Sequence, residues 1–222
     1  MALTSTLRIV CLSDTHGLHR QVQVPDGDIL IHAGDLTVFN LPLSASLEML
    51  KDVNDWLGEL RHRHKVVIAG NHDIVFRDEP EQARSLLTNA HYLENSGLVL
   101  EGLRFWGSPI TPVMESMVFA TPPGMSSRAV WDLVPADTEV LITHGPPYGT
   151  GDQRQEWTRH QGCLNLTETV LRIRPKLHVF GHIHGGYGHI TNRTGTRFIN
   201  CATLNNKRVL ANAPVVVELQ LS

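Results

Sequence analysis

The chain has 222 residues, 41% hydrophobic and 18% charged, with a formal net charge of −3 when its 13 histidines are neutral. That length suits one core in a single domain, 1–222, and the near-balanced charge offers no basic stripe for a nucleic-acid duplex and no cationic face for a membrane surface. No apolar run approaches the roughly 20 residues that span a bilayer. Three cysteines, Cys11, Cys163 and Cys201, lack CxxC spacing, which argues against a disulfide framework or a thiolate zinc site and fits a reducing cytosol. With no basic start or cleavable apolar segment at Met1, a soluble cytoplasmic protein is expected. The histidine count points to metal ligation or proton transfer.

Residues 7–12 read as a buried strand ending at Ser13-Asp14-Thr15-His16. A turn at Pro25-Asp26-Gly27 leads into a strand over 28–33, which ends at Gly34-Asp35. Leu47, Leu50, Val53, Leu57 and Leu60 recur at helical spacing and predict a helix over 44–60, with Trp56 in the core. A strand over 65–69 runs into Gly70-Asn71-His72-Asp73, and Pro80 starts a helix over 81–88. Residues 92–107 suggest antiparallel hairpins turned at Asn95-Ser96-Gly97 and Glu101-Gly102. An irregular loop over 109–125 and a short helix over 128–133 precede a strand over 139–142, which ends at Thr143-His144-Gly145. After an aperiodic stretch, 148–162, come a helix over 164–173 closed by Pro175 and a strand over 177–180 that ends at Gly181-His182-Ile183-His184. Strands over 197–201 and 215–221 complete a mixed α/β sandwich.

Five polar clusters therefore sit at strand exits, where open sheets gather their ligands. A single Asp or His there is more often a cap or a satisfied core group; five together point to a metal centre. Two cations about 3.5–4 Å apart need a shared carboxylate, and Asp35, behind Gly34, suits that bridge because glycine permits close backbone approach. Asp14 and His16 can face one ion from the same side. His182 and His184 have the same spacing, although a turn between them could send each to a different ion. His144 and Asn71 complete the set, and oxygen plus imidazole donors suit Mn, Fe, Zn, Ni or Mg. Other polar groups have plainer readings. His32 and His178 lie inside strands and call for structural hydrogen bonds. His62 and His64, beside Arg61 and Arg63, read as a solvated basic turn. Gly185-Gly186-Tyr187-Gly188 lacks a P-loop lysine and reads as a tight turn that lets His184 reach the metal. Tyr148, Trp157 and Tyr187 either pack or stack on a nucleobase.

The series Asp14-x-His16, Gly34-Asp35, Gly70-Asn71-His72-Asp73, Thr143-His144-Gly145 and Gly181-His182-x-His184 resembles the calcineurin-like metallophosphoesterases. Within them it is most similar to the metallophosphoesterase-domain proteins related to class III cyclic nucleotide phosphodiesterases. The similarity is carried also by 28–35, 54–58, 143–147, 174–181 and 206–219. The resemblance implies a four-layer α-β-β-α sandwich with two mixed sheets and a centre of two divalent metal ions, manganese first among those named. One ion would be held by Asp14, His16, Asp35 and His184, the other by Asp35, Asn71, His144 and His182. His72 would be the general acid or a phosphate-contacting imidazole, with Asp73, more often Glu in the family, orienting it; Asn71 would also meet substrate. The implied activity is a phosphodiesterase on small phosphodiesters, cyclic nucleotides among them, in which a hydroxide bridging the ions attacks phosphorus. A phosphomonoesterase on nucleotides or phosphoproteins, or a weakly active nucleotide-binding module, are the alternatives; the intact His72 and His182 weigh against the module. A homodimer is left open. Substrate choice is expected to reside in 39–42, 109–125 and 148–162.

Overall fold

The computed structural model describes residues 6–111, 118–120, 127–153, 159–193 and 195–221. The first half of the chain forms β1 (Thr6–Leu12), β2 (Ile29–Ala33), α1 (Leu43–Glu59), β3 (His64–Ile68), α2 (Val75–Asp78), α3 (Pro80–Leu86) and β4 (His91–Tyr92). Next come β5 (Ser96–Leu100), β6 (Leu103–Ser108), α4 (Ser127–Trp131), β7 (Val140–Thr143) and α5 (Leu164–Ile173). The chain then runs through β8 (Leu177–Phe180), β9 (Gly188–Thr191), β10 (Arg197–Asn200) and β11 (Val215–Gln220). Two mixed sheets result, with strand orders β11-β1-β2-β3-β4 and β5-β6-β7-β8-β10-β9.

Side-chain alternation along the strands sets the layers. Ile9 and Cys11 of β1, Ile29 and Ile31 of β2, and Val140 and Ile142 of β7 all face the space between the sheets. The intervening Val10, Leu12 and Leu30 meet Leu50, Val53, Trp56 and Leu57 of α1, so the first helical layer covers the outer face of the first sheet. Leu141 and Phe180 meet Trp131 of α4 and Leu166, Val170 and Ile173 of α5 on the outer face of the second. The architecture is the four-layer α-β-β-α sandwich with both central sheets buried, which is why their strands read as nearly unbroken apolar runs.

β1, β2 and β3 run parallel to one another, as do β6, β7, β8 and β10. Their carboxyl ends emerge on a common edge. Ser13 bridges Ala202 there, and Gly181 N–H donates to the His144 carbonyl at 3.0 Å. This edge is where the five polar clusters lie.

Three local expectations change. Asn95-Ser96-Gly97 is not a hairpin turn: β4 pairs parallel to β3, so the chain passes there from the first sheet to the second, and the hairpin is β5–β6 alone. The turn at residues 62–64 is not simply solvated, because His62 is buried beside Gly27 and His64 bonds Glu101 at 3.0 Å. α2 and β9 are additions. The first is a single turn, and the second is an exposed edge strand paired only with β10, so neither carries a periodic apolar signal.

Candidate metal centre

The strand-exit loops hold their side chains in unusual backbone conformations. Asp14, His16, Asp35 and His182 have φ of 54°, 42°, 56° and 63°, the left-handed region, which costs of order 1 kcal/mol or more for a residue with a Cβ. Cross-loop hydrogen bonds hold them there: Asp14 N–H to the Gly34 carbonyl at 2.9 Å and His16 N–H to the Asp35 carbonyl at 3.0 Å. Glycine is required where loops meet. A Cβ on Gly70 would overlap Asp35 and come within 2.7 Å of the His144 ring, and one on Gly181 would overlap Ser13 and Asp14.

These loops bring Asp14, His16 and His184 into one group of potential ligand atoms, and Asp35, His144 and His182 into another, with His16, Asp35 and His72 forming a third that overlaps both. Asp35 joins the two. Its Oδ1 accepts the His72 N–H at 2.8 Å, while its Oδ2 lies 3.3 Å from His144 Nε2 and 3.7 Å from His16 Nε2. Asn71 Oδ1 reaches His144 Nε2 at 2.9 Å, and Asp14 Oδ1 lies 3.3 Å from His184 Nε2. His182 and His184, two residues apart, point into different groups.

Three imidazoles share one arrangement. Nδ1 of His144 meets the Ala33 carbonyl at 2.8 Å, Nδ1 of His184 the Asn205 carbonyl at 3.0 Å, and Nδ1 of His16 the Thr37 carbonyl at 3.3 Å. Each ring donates outward and turns the Nε2 lone pair inward, the anchoring that orients metal-binding histidines. At His144 that lone pair faces two acceptor oxygens, Asn71 Oδ1 and Asp35 Oδ2. Without a proton on Nε2, three acceptors converge there, and a metal ion would reconcile them; the donor set fits one.

The electrostatics agree. Burial raises the Asp35 carboxyl, but His144 and His16 more than reverse this and hold it well below the usual range; Asp14 is likewise lowered against its burial, chiefly by His184. Burial depresses His144, yet Asp35 outweighs it and lifts the pKa to about 9, a proton taking the cation's place. Burial, then His144, pushes His182 down to about 4, leaving a neutral ring with a lone pair to give.

His72 sits at the margin of the centre, its Nε2 4.0 Å from Asp35 Oδ2 and its ring edge-on to His16 and Phe39. Asp73 does not orient it. Asp73 Oδ1 accepts Thr37 N–H at 2.7 Å and Thr37 Oγ1–H at 2.8 Å, while Oδ2 accepts Gly70 N–H at 2.8 Å and Leu36 N–H at 3.2 Å. His72 Nδ1 has no partner among the described residues. Asp73 therefore ties the Asp35 loop to the Asn71 loop, its own pKa pushed up to about 6 by burial and by Asp35. Asp73→Asn keeps the shape, but in either amide orientation its NH2 faces a buried backbone N–H, that of Thr37 (whose hydroxyl can turn to accept) or those of Gly70 and Leu36. A buried donor left without its acceptor is expected to cost about 2 kcal/mol and to lower the melting temperature of the metal-free protein by ~4–8 °C. An unchanged melting curve would show that the two loops hold together without this carboxylate.

His32 bonds Thr15 Oγ1 at 3.0 Å and His178 bonds Thr143 Oγ1 at 2.9 Å, both structural. Tyr148 packs on His160, Tyr187 donates to the Ala213 carbonyl, and Trp157 lies outside the described residues, as do 112–117 and 121–126 of the expected loop. Sequence reasoning missed Thr37 and Asn205, which act on the site through backbone carbonyls that leave no trace in side-chain pattern.

The sequence model of the calcineurin-like phosphoesterases matches residues 7–186. Human metallophosphoesterase domain-containing protein 1 is 38% identical, the alignment covering 96% of this chain and 71% of that one. The UPF0046 protein K07C11.7 of Caenorhabditis elegans is 37% identical over 96% of this chain and 75% of its own. Among solved structures, TT1561 of Thermus thermophilus matches with a TM-score of 0.59 at 13% identity, covering 88% and 89% of the two chains, a likeness of fold. A family match over most of the sequence, with relatives this similar along nearly all of it, makes the chain a member of the calcineurin-like phosphoesterases and a metal-dependent phosphoric ester hydrolase.

Proposed function

We propose that the chain is a phosphodiesterase that uses two divalent metal ions, manganese first, to hydrolyse small phosphodiesters, with cyclic nucleotides the leading class. The observation that carries this reading is the position of Asp35 Oδ2, 3.3 Å from His144 Nε2 and 3.7 Å from His16 Nε2, between the two proposed ligand sets. Asp14, His16, Asp35 and His184 would hold one ion, and Asp35, Asn71, His144 and His182 the other. Bound there, such a pair polarises phosphoryl oxygens and lowers the pKa of water into the neutral range.

The chain's own residues supply the rest. The carbonyls of Ala33, Thr37 and Asn205 anchor three imidazoles through Nδ1 and orient their Nε2 atoms toward the centre. His72, outside both proposed ligand sets, would meet a phosphoryl or leaving-group oxygen, a role supported by its Nε2 lying 4.0 Å from Asp35 Oδ2 at the margin of the centre. Phe39, in one of the stretches expected to govern specificity, packs edge-on against His72 with ring centres 5.5 Å apart and shapes the same side of the site. The substrate class follows the resemblance to cyclic nucleotide phosphodiesterases. The three free, buried cysteines suit a reducing, cytoplasmic setting, and among the described residues no helix is long and apolar enough to cross a membrane.

The test compares bis-p-nitrophenyl phosphate with p-nitrophenyl phosphate before and after chelation and re-addition of Mn²⁺. The expected result is metal-dependent turnover that favours the diester. Preference for the monoester would move the assignment to a phosphomonoesterase, and binding without turnover to a nucleotide-binding module.

A further inference from the structure

The turn after β10 brings a cation to the edge of the metal centre. Asn205 organises that turn: its Oδ1 accepts the N–H groups of Lys207 at 2.9 Å and Val209 at 3.1 Å, and its N–H donates to the Val209 carbonyl at 2.9 Å. Leu204 and Leu210 close the base as an isolated bridge. The same Asn205 gives its carbonyl to His184 Nδ1 at 3.0 Å, so the turn is fastened directly to a proposed metal ligand. At its tip Arg208 adopts φ of 56°, held by its N–H on the Asn205 carbonyl at 2.8 Å. The Arg208 side chain is exposed and makes no ion pair or side-chain hydrogen bond among the described residues. One carbonyl, that of Asn205, thus holds both the Arg208 backbone and the His184 ring.

The Arg208 guanidinium, on a turn fastened to His184, is a cation at the edge of a centre that two divalent ions would already make positive, since Asp14 and Asp35 are the only carboxylates among the proposed ligands. Like charges so placed repel unless an anion joins them. A phosphodiester brings one negative charge, and hydroxide attack adds a second; the departing alkoxide carries that charge away, and the phosphomonoester product regains it when the proton of the incoming hydroxyl is lost to solvent. The planar guanidinium fork matches two phosphoryl oxygens.

We propose that Arg208 is an anion subsite that engages the phosphoryl group once it carries two negative charges, in the transition state and in the phosphomonoester product. This rests on the reading of the centre as a phosphoester site, and it deepens that reading by assigning the extra charge to a residue outside the ligand set. The consequence is inhibition by dianionic phosphate, through a residue that contributes little to holding the monoanionic diester.

The test uses the metal-loaded full-length chain as wild type, Arg208→Ala and Arg208→Lys, with Arg84→Ala, a surface arginine paired with Glu94, as the control for net charge. Binding of inorganic phosphate at about pH 8, where it is a dianion, is read by calorimetry independently of turnover. Metal content is measured alongside. Arg208→Ala is expected to weaken phosphate binding about tenfold or more, as loss of one charge-assisted contact does. Arg208→Lys is expected to recover part of it, and Arg84→Ala to leave it unchanged. With bis-p-nitrophenyl phosphate, kcat should fall in Arg208→Ala by a similar factor while KM stays within about twofold, the mark of an interaction made in the transition state. Unchanged phosphate affinity in Arg208→Ala overturns the proposal. So does loss of bound metal together with that affinity, which would make Arg208 a support of the centre. Absence of all phosphoesterase turnover in the wild type would defeat the proposed function, yet the phosphate measurement would still decide the role of Arg208.

Discussion

Asp35→Ala is expected to empty both metal positions together. Asp35 Oδ2 lies between the two proposed ligand sets, 3.7 Å from His16 Nε2 on one side and 3.3 Å from His144 Nε2 on the other. Its other oxygen accepts the His72 N–H, so the same carboxylate also sets the start of the loop that carries Asn71 and His72. Removing it takes away the one negative charge held in common, leaves the His72 N–H without its acceptor, and brings the inward-facing imidazoles together with nothing between them. The loss of two-metal assistance, several kcal/mol of charge stabilisation, corresponds to at least ~10³-fold in kcat/KM. Elemental analysis after dialysis is the direct check, with wild type and Asp14→Ala alongside. Asp14 belongs to one group only, so its variant should keep one ion where Asp35→Ala keeps none. Two ions retained by Asp35→Ala would break the assignment of Asp35 as the bridge.

The parts of this architecture that sequence revealed are those encoded by side chains along one strand. β1, β2, β3, β7 and β8 are buried on both faces, so each appears as an apolar run, and each run ends where a polar residue beside glycine must begin a turn. The seven candidate ligands were visible for that reason. Helix α5 was legible to the residue because its apolar face and the following Pro175 mark the same boundary, at which the structure places Arg174 in the left-handed conformation. What stayed hidden depends on distant backbone. The carbonyls of Ala33, Thr37 and Asn205 fix the imidazoles, yet a carbonyl is present in every residue and its direction is set only by the fold. The same limit misdirected Asp73. Adjacency in sequence suggested a partnership with His72, whereas the turn sends its carboxylate back to Leu36, Thr37 and Gly70. Asn95-Ser96-Gly97 failed differently: the turn residues are those of a hairpin, but pairing of His91 with Val66 had already committed the preceding strand to the first sheet. His62 looked solvated because the residues that cover it arrive from the turn at Gly27.

His72→Ala should separate chemistry from metal binding. His72 shares loops with the proposed ligands, but its Nε2 stands 4.0 Å from Asp35 Oδ2, farther than either His16 or His144. Its Nδ1 is buried without a partner among the described residues. A ring with one nitrogen facing the centre and the other unpartnered is held by packing, edge-on against His16 at 4.6 Å and against Phe39 at 5.5 Å. Removing it leaves no metal-ligand hydrogen bond broken, so both ions should remain. Turnover should nevertheless fall by about 10²–10⁴, the usual worth of a positioned acid or base. Burial pushes the resting imidazole down to about 4, partly countered by Asp35, so the resting ring is neutral and still offers an N–H to an oxyanion. Two duties are open to it, and the leaving group tells them apart. A proton donor matters most when the departing alkoxide is a poor leaving group, and little when it is p-nitrophenolate. A hydrogen bond to a non-bridging phosphoryl oxygen matters equally in both. Comparing an alkyl with a p-nitrophenyl phosphodiester in wild type and His72→Ala therefore yields a large, leaving-group-dependent loss for the first duty and a uniform loss for the second. Equal rates for the two proteins on the alkyl ester would take His72 out of the reaction altogether and leave the metal centre to act without it.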